Sequence, residues 1–279
     1  MIKRSLVLLL LIPSVVFGGG SRKQSVLSWG AWYKVAVTRT GIHQVTYDNL
    51  VLLGMNPSSI DPANLRVYGN GGAMLPETNG QERVDDLREN PALVVGGDDG
   101  SFDPGDYILF YGEASDKVIF DGTTKLFSHQ KNIYSDTAYY FITADLGPGR
   151  RIGTTESSTQ AVNSYSTRFA DFAYHDLDLR NLIRSGRIWV GEEFNDTVNE
   201  YEFQFVFPNL EESSGVRFTT SVVARCPVVS YFYLYANDSL VDQFPVDFTD
   251  LQSVSIYART KLKNSLFFHP SDTVRVKLA

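Results

Sequence analysis

Four aspartates that could bind a metal ion crowd one short stretch of the chain. They lie within nine consecutive positions together with two glycines, and clustered carboxylate oxygens on a tight turn are what calcium requires. Their spacing differs from that of an EF-hand loop, in which acids alternate before a glycine. The alternative is an acidic hairpin loop whose Asp and Gly residues serve turn geometry. The candidate calcium ligands are Asp98, Asp99, Asp103 and Asp106.

A second acidic group and a single cysteine are the other side chains with possible catalytic chemistry. Asp85, Asp86 and Glu89 could supply the paired carboxylates of a glycoside hydrolase, although surface acids are far commoner. Cys226 is the one cysteine of the chain. A nucleophilic cysteine needs a base and a lowered pKa, whereas a lone cysteine is usually a small buried hydrophobe. We therefore expect no catalytic residue in this chain.

The histidines, the standard motifs and the charge exclude several classes of function. The four histidines lack the spacing of metal ligands, and the chain contains no GxSxG, P-loop or HExxH motif. The formal net charge of −7, with scattered basic residues, argues against a nucleic-acid partner. Apart from a calcium ion, no cofactor is expected. The histidines are His43, His129, His175 and His269.

Two segments carry residue types that favour binding to a partner. Residues 181–194 include Arg184, Arg187 and Trp189, and Arg and Trp are common at contact hot spots. The alternative is a strand with its tryptophan packed inward. Farther along, three tyrosines alternate on one expected strand, so they share one face, which could bind carbohydrate or face a core. They are Tyr231, Tyr233 and Tyr235.

The elements that would position these side chains are mostly short strands. Residues 32–37 and 42–46 are predicted to pair as a hairpin, and a short helix follows with Thr46 as its N-cap and Gly54 at its end. A turn requiring positive φ leaves the strand 65–68 through a run of glycines. Asp-Gly at 121–122 signals another hairpin. Two apolar runs, 92–95 and 107–111, are typical of central strands.

The sequence predicts a mainly β protein in two domains. Residues 19–150 would form an α+β or β-rich N-terminal domain, and residues 151–164, which are poor in apolar side chains, a linker. Residues 165–279 would form an antiparallel, jelly-roll-like β-sandwich. We expect this sandwich to be truncated, because its last strand reaches the end of the sequence. The expected strands are 200–207, 216–224, 231–236, 251–257 and 273–278.

The first residues read as a secretory signal peptide. Lys3 and Arg4 form a basic region before the apolar run 6–16, which is too short to span a bilayer of roughly 30 Å. Cleavage is expected after Gly18, so residues 1–18 would be removed. With a single cysteine, the exported protein must rely on burial of apolar surface rather than on disulfides.

Ordered composite motifs along most of the chain, roughly residues 27–260, carry a family resemblance. Residues 65–72 read LRVYGNGG and residues 105–112 read GDYILFYG. On these and the motifs below, the chain resembles the N-terminal region of the PorU family of type IX secretion sortases, gingipain-like cysteine peptidases of Bacteroidetes. The further motifs are Trp32-Tyr33-Lys34, Thr40-Gly41-Ile42, Leu75-Pro76-Glu77, Asp85-Asp86-Leu87, Glu89-Asn90, Asp99-Gly100, Phe102-Asp103, Asn132, Tyr134-Ser135-Asp136, Tyr140-Phe141-Ile142-Thr143 and Ser185-Gly186-Arg187, with Trp189, Gly191 and Glu192.

The resemblance implies an exported protein at the cell surface or outer membrane. Members of the family remove C-terminal signals from secreted cargo, attach the cargo to anionic lipopolysaccharide and act with an outer-membrane β-barrel partner of the PorV type. Their catalytic Cys and His lie in a C-terminal peptidase domain, and no position of this chain matches them. The chain is therefore expected to be a non-catalytic region whose partners are that peptidase domain, the barrel and the cargo. The alternative is a stand-alone secreted module that binds carbohydrate or protein.

Overall fold

The computed structural model describes residues 24–279 except 212, 254, 269 and 270, so the expected signal peptide and His269 lie outside the described residues. The described part is mainly β, as predicted, and its strands pair antiparallel. No helix within it is long and apolar enough to cross a membrane. The strands are β1 (Tyr33–Val37), β2 (Gly41–Thr46), β3 (Arg66–Tyr68), β4 (Glu89–Asn90), β5 (Ala92–Val95), β6 (Tyr107–Gly112), β7 (Lys117–Asp121), β8 (Leu126–Gln130), β9 (Ala138–Thr143), β10 (Tyr201–Val206), β11 (Val216–Ala224), β12 (Ser230–Ala236), β13 (Ser239–Val246), β14 (Arg259–Phe267) and β15 (Thr273–Leu278).

Two sheets and the helix α1 (Tyr47–Leu52) enclose what we call the N-terminal core. One sheet has the strand order β1-β9-β3-β4 and the other the order β2-β6-β5. Alternation turns one face of each strand inward, so β6 buries Ile108 and Phe110 while β9 buries Tyr140 and Ile142. The buried members of this core are Val37, Val45, Leu50, Met55, Leu65, Val67, Ala92, Phe102, Ile108, Phe110, Ala138, Tyr140 and Ile142.

The predicted hairpin between the first two strands is wrong. β1 pairs with β9 in one sheet, and β2 pairs with β6 in the other. Val37 of β1 and Val45 of β2 are both buried in the same core, which they enter from opposite sheets. The connection between them therefore crosses from sheet to sheet, and Thr40 in it accepts a hydrogen bond from the amide of Ala114 at 2.9 Å.

Helix α1 begins and ends where the sequence predicts. The Thr46 hydroxyl accepts a hydrogen bond from the Asn49 amide at 3.2 Å, and the Asn49 side chain accepts one from the Thr46 amide at 3.0 Å. This reciprocal cap satisfies two amides of the first turn. Leu50 anchors the helix in the N-terminal core, and Gly54 at φ +91° follows its end.

Strand β6 is central, as predicted, but β5 lies at the edge of its sheet. Residues 150–152 cover that edge, because the Ala92 amide donates to the Arg150 carbonyl and the Ile152 amide donates to the Ala92 carbonyl, both at 3.1 Å. Ala92 of this strand is buried and Val94 packs against the N-terminal core, whereas Leu93 on the other face is 40% exposed.

The predicted hairpin at Asp121 is confirmed and stands apart as a two-stranded sheet of β7 and β8. Asp121 accepts hydrogen bonds at 2.8 Å from the Thr123 amide and the Thr124 hydroxyl, and these bonds lower the pKa of Asp121, the Thr123 amide most. They fix the turn that sets the register of the hairpin.

The predicted C-terminal β-sandwich is confirmed. A sheet of order β10-β15-β12-β13 faces the two-stranded sheet β11-β14. The β12–β13 hairpin turns at Asn237 and Asp238, both with positive φ, as in a type I′ turn. The buried side chains between the sheets, which we call the C-terminal core, are Val222, Phe232, Leu234, Ala236, Phe244, Val246, Phe267, Val274 and Val276.

The predicted strand at 251–257 is wrong, and the strand of this region is β14 at Arg259–Phe267. The Asp250 carboxylate accepts a hydrogen bond from the Gln252 amide at 2.9 Å and starts a turn instead. Tyr257 lies under the guanidinium of Arg225 at 4.2 Å. The sequence of β14 is rich in polar residues, and it is a strand because it pairs along its whole length with β11.

The two cores are joined by a long segment that contains the expected linker 151–164. Residues 153–200 form no named strand, and an isolated bridge pairs Arg180 with Val190. The buried side chains of the N-terminal core and those of the C-terminal core form separate clusters that share no residue. The separate clusters agree with two domains, while the boundaries proposed from the sequence stay predictions.

Candidate functional site

The glycine-rich turn of the sequence is built for close packing. A Cβ on Gly69 would lie 2.3 Å from a ring carbon of Tyr140, and one on Gly72 would lie 2.4 Å from the Cα of Ser115. Gly71 has φ +74°, which side chains other than glycine rarely adopt. These glycines are therefore required because the turn lies directly against β9 and the loop after β6.

Tyr140 is the centre of this junction. Its side chain is buried, its ring centroid lies 5.2 Å from that of Phe110, and its hydroxyl accepts a hydrogen bond from the Glu113 amide at 2.6 Å. Burial raises the pKa of Tyr140 above its ordinary value. The hydroxyl is therefore neutral at physiological pH and serves as a structural hydrogen-bonding group.

A half-open cleft of about 200 Å³ lies over this junction. Asn70 and Asn90 shape its floor: the Asn70 side chain accepts from the Arg88 amide, and the Asn90 side chain donates to the Gly69 carbonyl, both at 2.9 Å. Drug-sized ligands need about 300–1,000 Å³. The cleft can admit a side chain or a small polar group, with Arg88 and Glu113 supplying opposite charges. Its lining residues are Gly69, Asn70, Gly71, Arg88, Asn90, Tyr111, Glu113 and Tyr140.

The acidic loop uses two of its four aspartates to hold its own turns. The Asp106 carboxylate accepts from the Asp103 amide at 2.8 Å, and the Asp99 carboxylate accepts from the Ser101 amide at 2.9 Å. Gly96 and Gly100 both have positive φ. Among the described residues, no group of three or more His, Cys, Asp or Glu side chains is placed to hold a metal ion. Calcium binding by Asp98, Asp99, Asp103 and Asp106 stays a prediction.

Two members of the second acidic group are anchors for other segments. Asp86 accepts hydrogen bonds from the Val26 amide at 2.6 Å and from the Ser25 hydroxyl at 2.9 Å. The Val26 bond is the main cause that lowers the pKa of Asp86. Glu89 accepts from the Arg150 amide at 2.6 Å. Both carboxylates have structural partners, so this group is better explained by folding than by glycoside hydrolysis.

Cys226 and the described histidines do not form a catalytic pair. The half-buried Cys226 accepts a backbone hydrogen bond from Thr249. The three histidines that the structure describes contact different oxygens: His43 the Arg39 carbonyl, His129 two aspartates and His175 a glutamate. None of these contacts involves the cysteine.

The segment 181–194 divides its contacts between the two parts of the molecule. The Arg187 guanidinium pairs with Glu77 at 2.8 Å, and the ring of Phe194 packs against Phe232 with centroids 5.5 Å apart. Trp189 keeps 38% of its surface exposed. The two side chains therefore have different roles. Arg187 ties the segment to the N-terminal part, and Trp189 is available at the surface.

The structure decides the orientation of the three alternating tyrosines. Phe232, Leu234 and Ala236 of β12 enter the C-terminal core, so the tyrosines between them point away from it. Tyr231 is 55% exposed. The Lys277 ammonium lies 4.8 Å above the ring of Tyr235. The outer face of this sheet is therefore an aromatic surface with polar neighbours.

One arrangement was not foreseen from the sequence. His129 of β8 lies between the carboxylates of Asp116 and Asp176, at 3.2 and 3.1 Å, and His175 contacts Glu192 at 2.6 Å. The available signal was the two-residue alternation of Phe172, Tyr174, Asp176 and Asp178. It indicates an extended segment with one contacting face, although the partner strand is more than forty residues away.

Comparison with solved structures gives an informative match. No protein-family model and no curated protein matches the chain. Its structure is similar to the crystal structure of dimeric latent PorU from Porphyromonas gingivalis, with a TM-score of 0.68 and 24% sequence identity. The match covers 91% of this chain and 23% of that one. The chain therefore has the fold of a part of PorU, over somewhat less than a quarter of that protein's length.

Proposed function

We propose that this chain is the non-catalytic N-terminal region of a cell-surface type IX secretion sortase related to PorU. The observation that carries the proposal is the shared fold over 91% of the chain. The ordered motifs support it from the sequence, since LRVYGNGG and GDYILFYG both lie at the junction built around Tyr140. The parent protein would be a cysteine endopeptidase that removes C-terminal signals and attaches cargo to anionic lipopolysaccharide.

In this role the chain would position or shield the peptidase domain. Its other partners would be an outer-membrane β-barrel of the PorV type and the secreted cargo, at the cell surface after export. The outer faces of the sheets would supply the contacts.

The first experiment incubates the full chain with a cargo protein that carries a type IX C-terminal signal. We expect no cleavage by the chain alone, and we expect activity when it is supplied to a PorU-family peptidase region that lacks its own N-terminal part. Cleavage by the chain alone, abolished in Cys226→Ser, would refute the proposal. Failure of the supplied chain to raise the peptidase activity would also count against it.

A second candidate function is carbohydrate binding, favoured by the outward orientation of the tyrosines on β12. Flat aromatic faces beside hydrogen-bonding side chains suit sugar rings, and the Gln243 amide lies 3.4 Å from the Tyr233 hydroxyl. Titration with soluble polysaccharides tests it. Tyr231→Ala should weaken binding, whereas Tyr134→Ala, an exposed tyrosine on the N-terminal part, should not. Equal binding by both variants, or none by the unmodified chain, would exclude this surface.

A further inference from the structure

Strand β11 has one paired edge and one free edge. It pairs with β14 over its whole length of nine residues, from Val216 opposite Phe267 to Ala224 opposite Arg259. Among the described residues, no backbone hydrogen bond outside that ladder involves residues 216–224. In an antiparallel ladder alternate residues direct their amides and carbonyls toward the partner, so about half of the backbone polar groups of β11 are open to a further strand.

This edge lacks the features by which edge strands usually avoid further pairing. Bulges, prolines and charged side chains interrupt pairing at a free edge. β13, at the edge of the facing sheet, has Pro245 and an irregular register where it meets Leu234 and Tyr235 of β12. The register of β11 with β14 is continuous, and its sequence VRFTTSVVA contains no proline and one charged residue, Arg217. β11 is therefore an unprotected edge strand.

The position of β14 shows where this free edge lies. Asp242 of β13 contacts Ser265 and Lys263 of β14 at 2.5 and 3.4 Å, so β14 lies across from β13, an outer strand of the larger sheet. Val222 of β11 is buried in the C-terminal core, so β11 lies on the inward side of β14. In a sandwich of roughly aligned sheets, the free edge of β11 therefore points toward β10, at the opposite end of the larger sheet.

The C-terminal core is incompletely covered on this side. Phe203 and Phe205 of β10 face it but are only partly buried, and so are Val216 and Phe218 of β11. Side chains of the connecting segment 153–200 lie over β10 without pairing by backbone with β11. One of them is His175, whose ring centroid is 4.3 Å from that of Phe203. A third strand beside β11 would therefore gain both backbone hydrogen bonds and apolar contacts.

The charge of the two-stranded sheet indicates which strand would fit. β11 and β14 contain no acidic residue, although the whole chain has a formal net charge of −7. Of their basic residues, only Lys263 has an acidic partner among the described residues. Arg217 lies on the outer face of β11, where an opposite charge on a neighbouring strand stabilises pairing and a like charge destabilises it. The basic residues are Arg217, Arg259, Lys261 and Lys263.

We propose that the free edge of β11 is a docking site for an extended acidic peptide, which adds as a third strand of this sheet. Its apolar side chains would point toward Phe203 and Phe205, and Asp or Glu side chains would alternate with them on the outer face. Main-chain hydrogen bonds supply the affinity of such strand addition, and the alternate side chains supply its specificity. The proposal stands on the open edge, the uncovered core and the charge, and it is independent of the sortase assignment.

The test adds to the full chain a blocked nine-residue peptide in which valine alternates with glutamate. We expect binding at pH 7, with slower hydrogen exchange of the β11 amides that β14 leaves open and unchanged exchange in β13. The slowing should be about tenfold at a peptide concentration ten times the Kd, because about a tenth of the chains then stay free. The same peptide with methylated backbone amides should not bind, since it cannot complete the ladder. Absence of binding, binding without this protection, or equal binding of the methylated peptide would overturn the proposal.

Charge variants test the choice of an acidic occupant. A peptide with lysine in place of glutamate should bind about tenfold more weakly. Arg217→Glu should weaken binding of the glutamate peptide about fivefold, because an attractive pair across the strands becomes a repulsive one. Arg39→Glu, an exposed change between β1 and β2, should leave binding unchanged, and thermal unfolding checks that both variants fold.

Two results would contradict this choice of occupant. Equal binding of the two peptides would refute an acidic partner. Protection of the open β11 amides that appears without peptide and rises with protein concentration would show that a second copy of the chain pairs at this edge, and the proposal would then be wrong.

Discussion

The two cores of this molecule bury their aromatic side chains to different extents. In the N-terminal core Phe102 and Phe110 have no exposed surface. In the C-terminal core Phe244 is just as closed at 1%, but Phe203 and Phe205 of β10 are only partly buried. The strands involved alternate equally well. The two cores differ in the width of their smaller sheet. A four-stranded sheet faces three strands in the N-terminal core and only two strands in the C-terminal core. Strand patterning alone therefore does not decide how completely a face is buried.

Loops complete the N-terminal core where its sheets end. The Arg151 guanidinium donates to the carbonyls of Leu65, Pro62 and Ala63 at 2.6–2.9 Å, and burial lowers the pKa of Arg151. The Pro62 and Ala63 carbonyls also accept backbone hydrogen bonds, from the Leu65 and Gly149 amides, so Arg151 adds a second bond to each and ties this loop to the end of the core. The C-terminal core is covered at the corresponding place by side chains of the connecting segment, such as Phe194.

Truncating one phenylalanine in each core tests this comparison with the largest expected effect. Phe110→Ala should lower the free energy of unfolding by about 3–5 kcal/mol, because a fully buried ring leaves a cavity. Phe205→Ala should cost about 1–2 kcal/mol, because solvent already reaches the ring. Urea unfolding monitored by hydrogen exchange of the β6 and β10 amides assigns each loss of unfolding free energy to one of the two cores. Equal losses would show that the two cores are equally closed.

Adding one methyl group at the glycine turn tests how tightly the N-terminal core is packed, by overfilling it instead of truncating a side chain. Gly69→Ala should cost about 1–3 kcal/mol, because its Cβ overlaps the ring of Tyr140. Gly80→Ala is the matched control, since an added Cβ there meets no atom within 4 Å. Thermal unfolding measures both. A Gly69→Ala variant as stable as Gly80→Ala would mean that Tyr140 moves aside freely.

Local signals predicted the parts of the fold that local forces determine. The cap at Thr46, the turns at Asp121 and Asn237 and the alternation of β10 each depend on residues within one element. The pairing of β1 with β9, and the formation of a strand from the polar β14, depend on partners far away in sequence. Both β1 and β2 have one apolar face, and only the three-dimensional core determines which sheet each joins.

The candidate sites divide in the same way. The sequence placed the tyrosines on one face of β12 but left open whether that face would meet the core or the solvent. A two-residue alternation by itself does not distinguish the two orientations. The glycine turn was correctly marked as a tight backbone feature, although its reason, the ring of Tyr140, lies about seventy residues away. The His129 bridge needed the tertiary structure, since Asp116 and Asp176 flank it from two different segments.

The smallest expected effect concerns an ionic contact that joins the two sheets of the C-terminal sandwich, the one such ion pair among the described residues. Asp242 of β13 accepts from the Ser265 hydroxyl of β14 at 2.5 Å and lies 3.4 Å from the Lys263 ammonium. The Ser265 bond is the main cause that lowers the pKa of Asp242. A narrow two-stranded layer should depend on such an edge contact more than the closed N-terminal core does.

Acid should therefore loosen the C-terminal core first. Because the pKa of Asp242 is lower in the folded than in the unfolded state, its stabilisation is present above the ordinary Asp value near 3.8 and is lost as the pH falls through the folded value. Asp242→Asn should remove less than about 1 kcal/mol at pH 6 and should reduce the loss of stability between pH 5 and pH 3. Asp247→Asn, an exposed change on the same stretch, is the control. If both variants kept the acid response of the unmodified chain in the β12 amides, Asp242 would not be the contact that holds the sheets together.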